Sequence, residues 1–142
     1  LQLPVNILDP RHPDGGVLDM AADRGVPLFA RSVFLQGLLL MPESDIPGEL
    51  ATVIPVRRRL QALAAGNGMT LSELAVRYVL ALKGITSVLT WVESVSQMRE
   101  NIALFSKPPL DDALVKKARV IGAGLPEAVV TPVLWPKEKI YR

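Results

Sequence analysis

ITSVLTWVESVSQMREN, residues 85–101, is the stretch on which the reading of this chain turns. Residues 85–89 form a short apolar and β-branched run, the pattern of a buried strand. Gly84 stands just before it, where a glycine can end the preceding helical pattern by adopting a left-handed conformation at little steric cost. Ser94-Val95-Ser96-Gln97 then has the S-x-x-Q form of a capping box, whose two side chains satisfy backbone N–H groups that the first helical turn leaves free. Val95, Met98, Ile102 and Phe105 follow at helical spacing. A buried strand therefore feeds a capped helix through about four residues, 90–93. The first turn of such a helix can hold a phosphate, because its N–H groups are free and the helix dipole is positive there. An ordinary strand-to-helix connection has the same local chemistry, and these residues alone leave both readings open.

The same strand-then-helix order recurs upstream. Residues 1–7, LQLPVNI, predict a strand, and residues i, i+2 and i+4 on one face would align Gln2, Pro4 and Asn6. DPRHPDGG, residues 9–16, is dense in turn formers and predicts a loop. A short helix is expected over 17–24, closed by Gly25, and a second strand over 26–31. Residues 32–41, SVFLQGLLLM, are too apolar for an exposed loop, and Gly37 interrupts them. Pro55 opens a helix through Leu63 that Gly66-Asn67-Gly68 must end. Thr70-Leu71-Ser72-Glu73 is a second capping box, heading a helix with the stripe Leu74, Val76, Tyr78, Val79 and Leu82. Past Pro108-Pro109, Asp111 or Asp112 caps a last helix to about residue 121, and the proline-bearing tail from Gly124 is expected to drape over a surface. Alternation of this kind predicts three parallel strands near residues 1–6, 26–31 and 85–90, side by side in sequential order, with the helices on the outer side. Such a sheet has two open edges. Leu28, Ala30 and Val88 are expected on its uncovered inner face, which points to a homo-oligomer or a partner chain over that face.

Composition narrows the class further. The chain has 142 residues, 49% hydrophobic, enough for one globular core. It contains no cysteine, which excludes disulfides, thiolate metal sites and a cysteine nucleophile, and its single histidine, His12, excludes a two-histidine metal site. The formal charge of +2 gives no nucleic-acid footprint, and Arg57-Arg58-Arg59 reads as a solvated helix face. No run is long and apolar enough to span a membrane and no signal-peptide layout is seen, so a cytoplasmic location is expected.

Four segments, LQLPVNILD, VPLFARSVFLQGLLL, LSELAVRYVLALKGITSVLTWVES and SQMRENIALF, resemble the C-terminal part of the aldo-keto reductase family in order and spacing, from Leu1 to about Trp135. The resemblance implies a partial TIM (β/α)8 barrel. Residues 1–142 would be one segment of it: three parallel βα units, the sixth to eighth, with a C-terminal helix and tail. It also implies an NAD(P)H-dependent oxidoreductase with the cofactor across the strands' C-terminal ends. By this resemblance Gln2 matches the glutamine that hydrogen-bonds the nicotinamide carboxamide, and Asn6 falls toward the substrate end. Ser32, Phe34, Gln36 and Gly37 match the S-P-L-x-x-G stretch around the pyrophosphate, with Val33 for the proline and Phe34 for the leucine. Glu93, Gln97, Glu100 and Asn101 fall in the region of the adenosine phosphate, ribose and adenine, the last two matching the family's E-N pair.

Two departures bear on the cofactor. Trp91 stands where many members carry glycine or lysine, and its indole crowds a phosphate without offering a cation. Gln97 stands where members that prefer NADPH carry an arginine, and a neutral amide cannot pair a 2′-phosphate dianion as a guanidinium does, so NADH is expected to serve at least as well as NADPH. The family's catalytic aspartate, tyrosine, lysine and histidine belong to its first four strands, and no residue here is assigned to them. Tyr78 lies on a helix stripe, Tyr141 in the tail, and His12, between turn residues, is expected to be exposed. Three readings follow. The chain is one part of a reductase whose other barrel half lies outside this sequence and which takes small carbonyl substrates only when completed. Or it is a non-catalytic half-barrel that binds a nucleotide. Or it is an assembly module that pairs its open edges with another copy. Leu1, lying within a strand-like run, favours the first, and Trp91, unsuited to a phosphate, favours the other two.

Overall fold

The computed structural model describes residues 1–136. Tyr141 lies outside the described residues. Strands β1 (Gln2–Pro4), β2 (Phe29–Arg31) and β3 (Ser87–Val88) form one parallel sheet in the order β1-β2-β3. Helices α1 (Arg11–Asp14) and α2 (Val17–Asp23) connect β1 to β2, and α3 (Val53–Gly66) and α4 (Leu71–Ala81) connect β2 to β3. Then α5 (Val95–Phe105), α6 (Asp112–Gly122) and α7 (Glu127–Val130) complete the chain. This is the expected partial barrel of parallel βα units. No helix among the described residues is long and apolar enough to cross a membrane.

The ladders extend past the assigned strands. Val5 N–H donates to Arg31 O at 2.9 Å, Leu89 N–H to Ala30 O at 2.7 Å and Thr86 N–H to Leu28 O at 2.8 Å. Three helices carry the caps expected of them. Thr70 Oγ1 accepts Glu73 N–H at 3.1 Å, Ser94 Oγ accepts Gln97 N–H at 3.2 Å, and Asp111 Oδ1 accepts Leu114 N–H at 2.8 Å. Each cap satisfies one free donor of a first turn and is worth about 1 kcal/mol.

The pairing register sets the faces of the sheet. Leu3, Ala30 and Val88 lie side by side across the three strands. Ala30 is fully buried in the main core, with Val5, Ile7, Val76 and Val79, and Leu28 packs against Leu18 and Ala21 of α2. The expectation that Leu28, Ala30 and Val88 sit on the uncovered face is therefore corrected: Leu28 and Ala30 lie against the helices, and Val88, level with Ala30, packs against the same core. Successive side chains alternate between faces, so the uncovered face receives the other set, Gln2, Pro4, Phe29, Arg31 and Ser87, which is more polar.

Gly84, at φ 86°, turns the chain from α4 into β3, and a Cβ there would meet Leu18 O at 2.7 Å. Gly122 packs the end of α6 so close to the loop after β1 that a Cβ would overlap the Ile7 carbonyl oxygen.

Four other expectations are corrected. Residues 9–16 are a clamped helical turn: Arg11 Nε donates to Asp9 Oδ1 at 2.8 Å and Nη2 to Asp9 Oδ2 at 2.9 Å, while the same guanidinium reaches Glu127 Oε1 and Thr131 Oγ1. The described part of the tail, residues 124–136, is packed into the core rather than laid over the surface, since Val129, Val130 and Trp135 are buried and the Trp135 indole N–H donates to Val129 O at 2.9 Å. His12, in α1, is half-buried. The basic cluster is not uniformly solvated, because Arg57 turns inward from α3 and burial lowers its pKa, whereas Arg58 stays exposed and pairs with Glu43 at 2.6 Å.

Candidate functional site

A cavity of about 710 Å³ opens on the uncovered face of the sheet, toward the carboxyl ends of β2 and β3. That volume is in the range of small-molecule sites. Five residues assigned by the family resemblance line it together: Gln2, Ser32, Phe34, Gln36 and Gly37. The rest of the wall is Arg31, Val33, Leu89, Thr90 and Trp91. The β2 end supplies Arg31, which opens onto the loop over residues 32–37, and the connection from β3 to α5 supplies Leu89, Thr90 and Trp91.

The loop after β2 is held in an unusual backbone. Ser32 (φ 60°), Leu35 (φ 47°) and Gln36 (φ 53°) are all left-handed without being glycine, and Gly37 follows at φ 86°. Such residues cost on the order of 1 kcal/mol or more each and persist only where the surroundings over-determine them. Here the neighbours are Val33, Leu35, Leu38 and Leu39, all buried in the core, and a ladder of turns from Leu35 N–H on Ser32 O (2.9 Å) to Met41 N–H on Gly37 O (2.9 Å). The apolar character of residues 32–41 thus anchors the loop, and the polar groups between the anchors, Ser32 and Gln36, are left at the cavity.

The capping box at α5 is formed in its forward direction, and its Gln97 side chain reaches back one residue past the cap, to Glu93. Ser94 Oγ takes Gln97 N–H, and Gln97 Oε1 accepts Glu93 N–H at 2.7 Å. The Gln97 amide oxygen is therefore held at the backbone of the connection just before its helix. Glu100 Oε1 accepts from Ser96 Oγ at 3.1 Å, and Asn101 Nδ2 donates to Thr90 Oγ1 at 3.2 Å, which ties α5 to the cavity wall. Glu93, Gln97, Glu100 and Asn101 do not line the cavity and are spread along the adjoining connection and the exposed α5 surface. Asn6 is buried just past β1, its Oδ1 accepting Leu8 N–H at 3.0 Å, and it is absent from the cavity wall.

Arg31 was not singled out by the sequence, although the alternation Phe29, Arg31 along β2 carries the signal for an inner-face position. Trp91 is 85% exposed at the rim. Tyr78 lies elsewhere: it is fully buried in α4, its hydroxyl is without a hydrogen-bond partner, and burial pushes its pKa up to about 12. Among the described residues no group of three or more His, Cys, Asp or Glu side chains is placed to hold a metal ion.

Parallel βα units with a cavity at the carboxyl ends of the strands define a segment of a (β/α) barrel, the architecture in which such cavities are active sites. The sequence model of the aldo/keto reductase family matches residues 1–122, and the chain belongs to that family. Among solved structures it is similar to the aldo-keto reductase AKR11C1 from Bacillus halodurans. In the holo form the TM-score is 0.72 at 21% identity, over 91% of this chain and 44% of that one. In the apo form the TM-score is 0.71 at 21% identity, over 91% and 45%. It is also similar to the thermostable aldo-keto reductase Tm1743 solved with the inhibitor epalrestat, with a TM-score of 0.60 at 22% identity over 84% and 38%. The chain thus spans less than half the length of these structures. At these identities the likeness speaks to fold.

Proposed function

We propose that the protein works as an NAD(P)H-dependent oxidoreductase of aldo-keto reductase type, located in the cytoplasm, in which this chain supplies the cofactor-binding side of the barrel. The observation that carries the reading is the convergence of Gln2, from β1, with Ser32, Phe34, Gln36 and Gly37, from the loop after β2, on one cavity at the strand ends. The donor set suits the ring end of a nicotinamide cofactor: Gln2 offers both a donor and an acceptor to a carboxamide, and Gly37 leaves the backbone open beside the loop. When bound, the cofactor supplies the hydride. This chain's residues orient it and, through Val33, Phe34 and Leu89, exclude water from it.

Cofactor choice follows from α5. Gln97 is neutral and engaged by Glu93 N–H, so the position that the resemblance aligns with the 2′-phosphate offers no cation, and the one guanidinium of α5, Arg99, stands two residues further along the helix beside Glu100. On this reading NADH binds at least as well as NADPH.

Carbonyl reduction also needs a group at the carbonyl oxygen that can give up a proton near neutral pH. The cavity wall has hydroxyls, amides and one guanidinium but no carboxylic acid, histidine, lysine or tyrosine, so the proton donor comes from complementary βα units. A surface for such units is present: Val95 (71% exposed), Met98 (50%) and Ile102 (57%) make an apolar stripe on α5, and no residue of that helix is fully buried. An exposed stripe of this kind on a helix is covered in a stable assembly. We assign the cover to the remaining βα units of a barrel, a second copy being the alternative occupant. The test is calorimetric titration of the purified protein with NADH and NADPH, with Gln2→Ala and Gly37→Val alongside. Binding of either cofactor that both variants weaken is expected. Absence of binding, or binding that ignores both substitutions, would overturn the reading.

A further inference from the structure

We propose that Arg31 anchors an oxyanion in this cavity, a carboxylate of the substrate or a phosphate of the cofactor, and thereby makes the site reject uncharged ligands. The inference deepens the cofactor-side reading and rests on it. Arg31 is the one charged side chain on the cavity wall among the described residues. It has no carboxylate partner among them; its Nη1 donates to Ser32 Oγ at 3.2 Å, which leaves most of the guanidinium fork free.

The position is built rather than incidental. Arg31 is the last residue of β2, and its backbone carbonyl accepts Val5 N–H at 2.9 Å, so the side chain starts from a fixed strand and not from the loop. Its Cα is opposite Pro4, while Gln2 is opposite Phe29. The Arg31 Cα is therefore about 7 Å further toward the carboxyl ends than the Gln2 Cα, the rise of two strand residues. A ring held at Gln2 and an anion held at Arg31 are about one small molecule apart.

The remaining walls explain the selectivity. Phe34, Leu89 and Trp91 offer little to solvate a charge. A ligand that fills the cavity displaces the water around the guanidinium. An anionic ligand replaces that water with two parallel charge-assisted hydrogen bonds, whereas a neutral one of equal shape leaves the cation desolvated and unpaired. Discrimination arises as much from the penalty on the wrong ligand as from attraction to the right one. In water such a contact is weak, and here it is strengthened by the apolar surround, which gives an expected preference of about tenfold or more.

The cavity carries its own reporter. Of the chain's two tryptophans, Trp91 lies on the rim and Trp135 is buried in the docked tail. Titrating the purified protein with benzoate and with benzamide, which differ in charge and hardly in shape, is expected to quench Trp91 fluorescence with benzoate at least tenfold tighter. Arg31→Gln should bring benzoate down to the level of benzamide and leave benzamide unchanged, and Arg31→Lys should keep part of the preference. A thermal melt of each variant confirms the fold, since an exposed Arg31 contributes little to it.

A parallel titration with NADH identifies the oxyanion. Loss of benzoate affinity in Arg31→Gln with NADH unchanged assigns a substrate carboxylate. Loss of NADH affinity alone assigns a cofactor phosphate, and loss of both supports a shared anchor. Equal benzoate and benzamide affinities, together with NADH binding that is unchanged by Arg31→Gln, overturn the inference while the cofactor reading stands. A charge preference that depends on Arg31 in a protein that binds neither NADH nor NADPH keeps the anchor and sinks the cofactor reading.

Discussion

Replacing Tyr78 by phenylalanine should leave the protein as stable as before or more so. Tyr78 is fully buried in α4, and its hydroxyl has no hydrogen-bond partner. A buried hydroxyl without a partner costs about 1–3 kcal/mol, because the hydrogen bonds it made to water in the unfolded chain are not replaced. Removing the oxygen relieves that cost and leaves a void of roughly 10 Å³, a loss of about 0.2 kcal/mol. The expected net gain is about 1 kcal/mol, equivalent in a chain of this size to roughly 3–4 °C in Tm. The pH dependence provides a second readout. Burial holds the folded-state pKa at about 12, above the unfolded value of about 10. A group whose folded pKa is raised contributes stability that is complete below the unfolded pKa and is lost as pH rises through the folded one. Wild type should thus lose about 2–3 kcal/mol between pH 10 and 12 that Tyr78→Phe does not lose. Urea denaturation of both proteins at pH 7 and across that alkaline window measures both effects. Destabilisation by more than about 1 kcal/mol at pH 7, or parallel profiles above pH 10, would refute the assignment of Tyr78 as an unsatisfied core phenol. The same variant should bind cofactor as wild type does on the proposed reading, because Tyr78 is not on the cavity wall.

Ser94→Ala removes the side-chain acceptor for Gln97 N–H and should cost about 1 kcal/mol by urea denaturation, with hydrogen exchange rising first in the opening turn of α5. Gln97→Arg should improve NADPH binding relative to NADH by about tenfold in a calorimetric comparison, since a guanidinium can pair the 2′-phosphate; an unchanged ratio would move the ribose phosphate away from α5. Gly84→Ala should destabilise by about 2 kcal/mol or more, because a left-handed residue gains a Cβ that meets Leu18 O at 2.7 Å; a Tm within a degree of wild type would contradict that packing.

Local chemistry was legible in the sequence, and long-range geometry was not. Ser94, Thr70 and Asp111 could be read as caps because a cap is decided within four residues. Strand order followed from the alternation of elements and the handedness of crossovers. The faces of the sheet did not follow. Leu28 and Ala30 are apolar whichever side meets the helices, and only the register with Leu3 and Val88 settles the matter. The Arg11 clamp joins Asp9 to Glu127 and Thr131 across 116 and 120 residues, so no local pattern announces it. The tail lacked a period because α7 is a single turn held by a buried indole. At the cavity, the resemblance marked five wall residues but not Arg31, which it had no reason to weigh. Nothing marks Ser32, Leu35 and Gln36 as left-handed, since that conformation is imposed by the burial of their neighbours.

The two incomplete features of the molecule adjoin the same element. The cavity has polar groups but no carboxylic acid, histidine, lysine or tyrosine on its wall, and Leu89, Thr90 and Trp91, directly after β3, form part of that wall. The exposed stripe of Val95, Met98 and Ile102 belongs to α5, which follows that connection and is bonded to it through Asn101 and Thr90. In the described sheet β3 pairs on one side only, with β2. A right-handed βα unit added at that edge sets its strand beside β3 and its helix beside α5. It would place new side chains beside that part of the cavity wall and cover the stripe in the same step. On the proposed reading one event therefore removes both deficits, whereas a nucleotide-binding half-barrel leaves the stripe exposed and an assembly module that covers only the stripe leaves the cavity without its chemistry.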